Sequence, residues 1–165
     1  MRKLIILRGN SGSGKTTIAK ELQKRFGTNT MLISQDVIRR DMLNVKDGES
    51  TPALPLMKEL LVYGHAHSSI VILEGIMHAD WYKPLFELAV QLYGREVYAY
   101  YFDLPFEETL KRHQTKPNCH EFGEEAMRRW WRENDFSDVL NEVCITAEKS
   151  IDNIVGEINT ELLNE

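Results

Sequence analysis

A chain of 165 residues with 42% hydrophobic content can close one packed core, so residues 1–165 read as a single domain. A net charge of −5 argues against broad, salt-driven binding to nucleic acid, and no apolar run approaches membrane-spanning length. Cys119 and Cys144 stand without a C-x-x-C pair or histidines at metal spacing, which fits reduced thiols in a cytoplasmic protein.

Met1-Arg2-Lys3 begins like a signal peptide, but the apolar run behind it, Leu4-Ile5-Ile6-Leu7, is short and leads straight into a glycine-rich loop. It reads as a buried strand over 3–7. Gly9-Asn10-Ser11-Gly12-Ser13-Gly14-Lys15-Thr16 then matches G-x-x-x-x-G-K-[ST] in full, with Thr17 following. A helical pattern over 15–26 places Ile18, Leu22 and Phe26 on one face. Strand, loop and helix in that order suit a phosphate-binding loop. Glycines let backbone N–H groups turn in around phosphate oxygens, and the helix aims its positive end at the anion. Lys15 is expected to reach the β- and γ-phosphates of ATP, and the Thr16 hydroxyl to ligate Mg²⁺.

Strand two, 30–34, ends in Gln35-Asp36, with a helix expected over 36–44. Asp36 therefore stands at the carboxyl edge of a parallel sheet, where ligands bind. A carboxylate there can accept the proton of a hydroxyl that attacks the γ-phosphate; it can equally cap the helix. Arg39, one turn on, can hold an anionic acceptor or the transferred phosphoryl group, or stand as a solvated charge. A further helix covers 54–66.

Strand three, 69–74, ends in Glu74-Gly75, an acid placed to hold the water shell of Mg²⁺, unless it is an ordinary turn residue. His78, Asp80, Trp81 and Tyr82 follow, either at an acceptor entrance or in a plain loop before the helix at 80–92. Strand four, 95–103, feeds a helix over 105–113 that opens on Pro105. Its end is basic, from Lys111-Arg112 to Lys116-Pro117, and the polar segment 118–123 leads to a helix over 123–133 with Arg128 and Arg129. Two short helices joined this way read as a lid over about 112–130 that brings cations to transferring phosphate, with a solvated basic helix end as the plainer alternative. The pair Trp130-Trp131 reads as core packing. A strand over 142–146 and a helix over 150–163 close the chain.

The phosphate loop, Asp36, Glu74-Gly75 and the Arg112-x-x-x-Lys116 lid entry resemble the nucleoside-monophosphate-kinase-like P-loop kinases. Within that group the chain is similar to small bacterial zeta-toxin-like or AAA-family kinases. Chloramphenicol phosphotransferase, gluconate kinase and the kinase domain of polynucleotide kinase are among the relatives. The resemblance implies an α/β fold with a five-stranded parallel sheet of order 2-3-1-4-5, helices on both faces and a short helical lid. It implies that Asp36 activates the acceptor hydroxyl, that Arg112 packs against adenine, and that the turn 147–150 approaches that base. Lys116 falls where many members carry a lid arginine; lysine lacks the planar fork, so Arg128 or Arg129 is a substitute.

The expectation is an ATP- and Mg²⁺-dependent phosphotransferase acting on a hydroxyl of a small molecule, working as a monomer or homodimer. The alternatives are a nucleoside, nucleotide or polynucleotide 5′-kinase, and a nucleotide-dependent switch. The guanine-reading N-K-x-D motif of GTPase switches is absent from the sequence.

Overall fold

The computed structural model describes residues 1–117 and 119–164; Asn118, at the head of the polar segment, and Glu165 lie outside them. Strands β1 (Lys3–Gly9), β2 (Thr30–Ser34), β3 (Ile70–Gly75), β4 (Val97–Phe102) and β5 (Glu142–Ile145) form one sheet. All neighbours are parallel, in the order β2-β3-β1-β4-β5 expected from the sequence. Parallel strands need crossovers. These are made by helices α1 (Lys15–Phe26), α2 (Ala53–His67), α3 (Lys83–Tyr93), α4 (Phe106–Gln114) and α5 (Glu124–Trp130), and α6 (Ile151–Leu163) follows the last strand.

The apolar run of β1 makes it the central strand, paired with β3 on one side and β4 on the other. Alternate side chains leave opposite faces. Leu4 and Ile6 enter the core under α2 and α3 with Met57, Leu61, Phe86 and Ala89, while Ile5 and Leu7 enter the one under α1 and α6 with Ile18, Leu22 and Ile158. Each fully buried Leu or Ile contributes about 1.5–3 kcal/mol relative to exposure. One buried polar atom stands out: the Tyr93 hydroxyl has no hydrogen-bond partner among the described residues.

Boundaries differ from the sequence reading where tertiary contacts intervene. The helix expected over 36–44 is a π-helical turn, Val37–Met42, closed by Leu43 N–H donating to Ile38 O (3.0 Å). Such wide turns collect at functional sites. The helix expected over 123–133 stops at Trp130, and Trp131 is extended (φ −66°, ψ 132°). The Asn10 side chain holds the backbone of Arg132 at both ends, Oδ1 accepting from its N–H (3.0 Å) and Nδ2 donating to its carbonyl (2.7 Å). Those tertiary bonds replace another helical turn. Among the described residues, no helix is long and apolar enough to cross a membrane.

Candidate functional site

The phosphate loop links β1 to α1 at the carboxyl edge of the sheet. Gly12 there has φ +80°, and a Cβ on it would lie 2.5 Å from the Thr109 carbonyl and 3.1 Å from Met127 Cε. Only glycine lets α4 and α5 sit this close to the loop. The Lys15 ammonium is buried and donates to Asn10 O (2.8 Å) and Ser13 Oγ (3.0 Å). Burial lowers its pKa to about 8, an effect partly offset by the Glu74 carboxylate.

Glu74, at the end of β3, is buried behind the loop. Its Oε1 accepts from Thr16 Oγ1 (3.2 Å) and Ser34 Oγ (2.6 Å). Burial pushes its carboxyl above the usual range, against the bond from Ser34 and the charge of Lys15. Thr16 and Glu74 thus present neighbouring oxygens, the donor type that a hard cation such as Mg²⁺ takes. Thr17 is exposed on the first turn of α1.

Asp36 stands beyond β2 with its carboxylate more than half exposed. It accepts no capping bond from the backbone; it accepts from Arg39 (3.3 Å) and lies 3.9 Å from Arg40. It borders a cavity of about 660 Å³ that begins at Ser11 of the phosphate loop. Gln35, Asp36, Arg39 and Arg40 line one wall, and Lys46 and Asp47 extend it. Ile76, His78 and Trp81 line a second wall, and the stretch from Arg129 to Arg132 a third. Trp130 and Trp131 are therefore half-buried cavity residues. The core packing expected for them is not what the fold does, because the chain leaves α5 toward Asn10.

The lid residues divide. Arg112 donates to Ser13 O (3.0 Å) and to Glu108 (2.9 Å), so it touches the phosphate loop. Burial lowers the pKa of Lys116, while the carboxylates of Glu74 and Asp36 act to raise it, so its ammonium lies in the field of the two site acids. Arg128 lies outside this group: it is exposed, pairs with Glu124 (2.8 Å) and covers the Phe106 ring at 4.2 Å. Arg129 lines the cavity instead.

Between 78 and 82 the residues separate by role. His78 and Trp81 line the cavity, and Asp80 pairs with Arg132 (2.6 Å). Tyr82 is fully buried; its hydroxyl donates to Asp47 (2.7 Å) and accepts from Gln35 Nε2 (2.7 Å). Gln35 also accepts from Met77 N–H (3.1 Å). Sequence patterns carry no trace of this network, whose members are 12 to 47 residues apart. They also miss Arg8, fully buried, which donates to Glu142 (2.6 Å), Asp135 (3.1 Å) and Met77 O (3.0 Å) and so ties the second wall to β5. The one legible signal for the third wall is the run Arg128-Arg129-Trp130-Trp131-Arg132, where cations bracket a pair of aromatics.

A family model described as an AAA domain matches residues 4–134. No curated protein matches the sequence. Among solved structures, a gluconokinase from Sinorhizobium meliloti 1021 is similar at 14% identity and TM-score 0.64, over 99% of this chain and 94% of that one. An APS kinase from Mycobacterium tuberculosis, in complex with AMPPNP and APS, is similar at 18% identity and TM-score 0.64, over 99% and 98%. A tunicamycin resistance protein from Deinococcus radiodurans is similar at 17% identity and TM-score 0.65, over 98% and 96%. At these identities the likeness establishes the fold, that of the P-loop kinases.

Proposed function

The chain belongs to the AAA domain family, and from that premise we propose that it is an ATP- and Mg²⁺-dependent phosphotransferase that moves the γ-phosphate to a hydroxyl of a small-molecule acceptor. The observation that carries this reading is the placement of Asp36. Its carboxylate is free of capping bonds, flanked by two arginines, and borders a cavity that opens from the phosphate loop. A nucleotide switch has no use for a second, cation-lined cavity beside its phosphates.

In this reading the loop from Gly9 to Thr17 holds the phosphates, with Gly12 and Gly14 allowing the backbone approach. Lys15 leaves its loop partners for the β- and γ-oxygens. Thr16 and Glu74 supply oxygens suited to Mg²⁺, which when bound neutralises phosphate charge. Asp36 takes the proton of the acceptor hydroxyl while the hydroxyl oxygen bonds to the γ-phosphorus. The bond to the β,γ-bridging oxygen breaks and the electron pair leaves with ADP. Arg39 restrains Asp36 and faces the transferred group. Lys116 brings a cation from the lid, which spans about 112–130 of a single domain, and Arg112 steadies the loop on the nucleotide side. Arg128 takes no part; Arg129 is the arginine of α5 that meets the acceptor.

The test is a screen of hydroxyl compounds coupled to ADP release, with the Lys15→Ala variant as the blank. Acceptor-dependent release that disappears in the variant supports the kinase. ATP hydrolysis indifferent to every hydroxyl compound restores the switch.

A further inference from the structure

The cavity beside Asp36 has a charge the chain does not share. Arg39, Arg40, Lys46, Arg129 and Arg132 line it against the carboxylates of Asp36 and Asp47, while the chain as a whole carries −5. Three of those cations are already neutralised: Arg39 and Arg40 face Asp36, Arg40 also reaches Glu121 (3.5 Å), and Arg132 pairs with Asp80 (2.6 Å). The side chains of Arg129 and Lys46 make no hydrogen bond or ion pair among the described residues. The nearby Asp47 offers them little, because its oxygens already accept from Tyr82, Gln35 and the Gly48 N–H.

Aromatic surface is concentrated in the same place. The chain has three tryptophans, and Trp81, Trp130 and Trp131 all line this cavity. None is fully buried, although Trp81 also packs against the core under α2 and α3. Trp81 already carries the Arg132 guanidinium at 4.7 Å from its ring, so it is positioned as a stacking face. Partly exposed indoles around a concave, cationic space recover free energy when a flat ring displaces water from them.

We propose that the acceptor bears, besides its reacting hydroxyl, a flat ring and an anionic group, the ring packed among Trp81, Trp130 and Trp131 and the anion held by Arg129 and Lys46. This rests on the kinase reading for the hydroxyl, but the charge and ring preference belong to the cavity and are measurable without transfer. Since every tryptophan of the chain is at the cavity, intrinsic fluorescence reports its occupancy directly.

The experiment titrates the protein with four probes while following tryptophan fluorescence, with ADP release measured in parallel. 4-(Hydroxymethyl)benzoate and 4-(hydroxymethyl)phenyl phosphate carry ring and anion, and separate a carboxylate from a phosphate requirement. 1,4-Benzenedimethanol lacks the anion, and glycerate lacks the ring. At least one of the first two is expected to bind roughly 10- to 100-fold tighter than the last two, the range for charge-assisted bonds. That preference should shrink by roughly 10-fold in Arg129→Gln and in Lys46→Gln, both exposed positions whose replacement leaves the melting curve in place. Equal binding of 1,4-benzenedimethanol, or a preference untouched in both variants, overturns the proposal. ADP release with neutral or ringless alcohols alone also overturns it and leaves the kinase standing. Selective binding without ADP release from any probe supports the cavity's ligand class and counts against the kinase.

Discussion

Asp36 is where a base and a cap predict opposite results from one substitution. Asparagine is among the best capping residues, so if Asp36 only began a helix, Asp36→Asn would preserve stability and activity. As the base it is irreplaceable by an amide, and acceptor phosphorylation should fall by about 10²–10⁴-fold with ATP affinity little changed. Full phosphorylation by the Asn variant removes Asp36 from the mechanism. Lys15 makes a different prediction, one of pH. Its pKa in the fold, about 8, lies below its ordinary 10.5, so the folded loop releases the proton first as pH rises. Burying the charged lysine therefore costs stability below about pH 8, and that cost is relieved as pH climbs toward 10.5. Phosphate oxygens favour the charged form, so above about pH 8 nucleotide binding must take up a proton. ATP affinity should weaken as pH rises through that value, and calorimetry in buffers of different ionisation enthalpy should record the uptake. Lys15→Ala should lose both the pH dependence and transfer while staying folded. A binding constant flat across that range would place the ammonium elsewhere.

The elements carry the next two expectations. In the lid, Arg112→Ala should chiefly weaken ATP binding, because its guanidinium bonds the Ser13 carbonyl, and Lys116→Ala should chiefly lower the transfer rate, because its ammonium lies in the field of Glu74 and Asp36. Arg128→Ala should change neither by more than a few-fold, since exposed pairs such as that with Glu124 are worth about 0–1 kcal/mol. A large rate loss in the Arg128 variant alone would return the lid cation to it. At the end of β3, a Cβ on Gly75 would fall 2.5 Å from Gln35 Oε1 and 2.6 Å from its Cβ. Gly75→Ala must push Gln35 off Tyr82 and the Met77 N–H, so about 1–3 kcal/mol of stability should be lost in denaturant melts. An unchanged melt would mean that Gln35 does not brace the cavity wall. The strands were readable in the sequence because their apolar runs, such as Leu4 to Leu7, are local signals. The phosphate loop was readable because its spacing is its chemistry. The end of α5 was not, because bonds from Asn10, 122 residues away, decide it. Nor was the ring of Gln35, Tyr82 and Asp47, since polar pairing across loops leaves no periodicity.

Across the whole molecule, two buried polar side chains test how the fold treats charge and its absence. Arg8 leaves the centre of the sheet with no exposed surface, between the rings of Phe86 (5.0 Å) and Tyr101 (5.5 Å). It bonds two carboxylates and the carbonyls of Met77 and Asp135, joining β1, the loop after β3, and β5. Burial raises the Asp135 carboxyl, but the His78 ring 3.6 Å away, the bond from the Ala79 N–H and the Arg8 charge more than offset this and leave its pKa below the usual range. Its stabilising share is therefore present at neutral pH and lost as acid protonates it. Arg8→Met keeps the volume and apolar stacking yet strands Glu142, whose side chain is 3% exposed, and leaves Asp135 only the more distant Arg132 (3.8 Å). Breaking a buried pair from one side costs about 3–5 kcal/mol. The wall carrying His78 and Ala79 should loosen with it, raising the acceptor KM more than that for ATP. Tyr93→Phe is the opposite case. Its hydroxyl has no partner among the described residues, so removal abolishes a desolvation cost and no bond, and stability should hold within about 0.5 kcal/mol or rise. Chemical denaturation of the two variants side by side checks both. Equal losses would mean that packing alone, without the Arg8 ion network, fixes the cavity against the sheet.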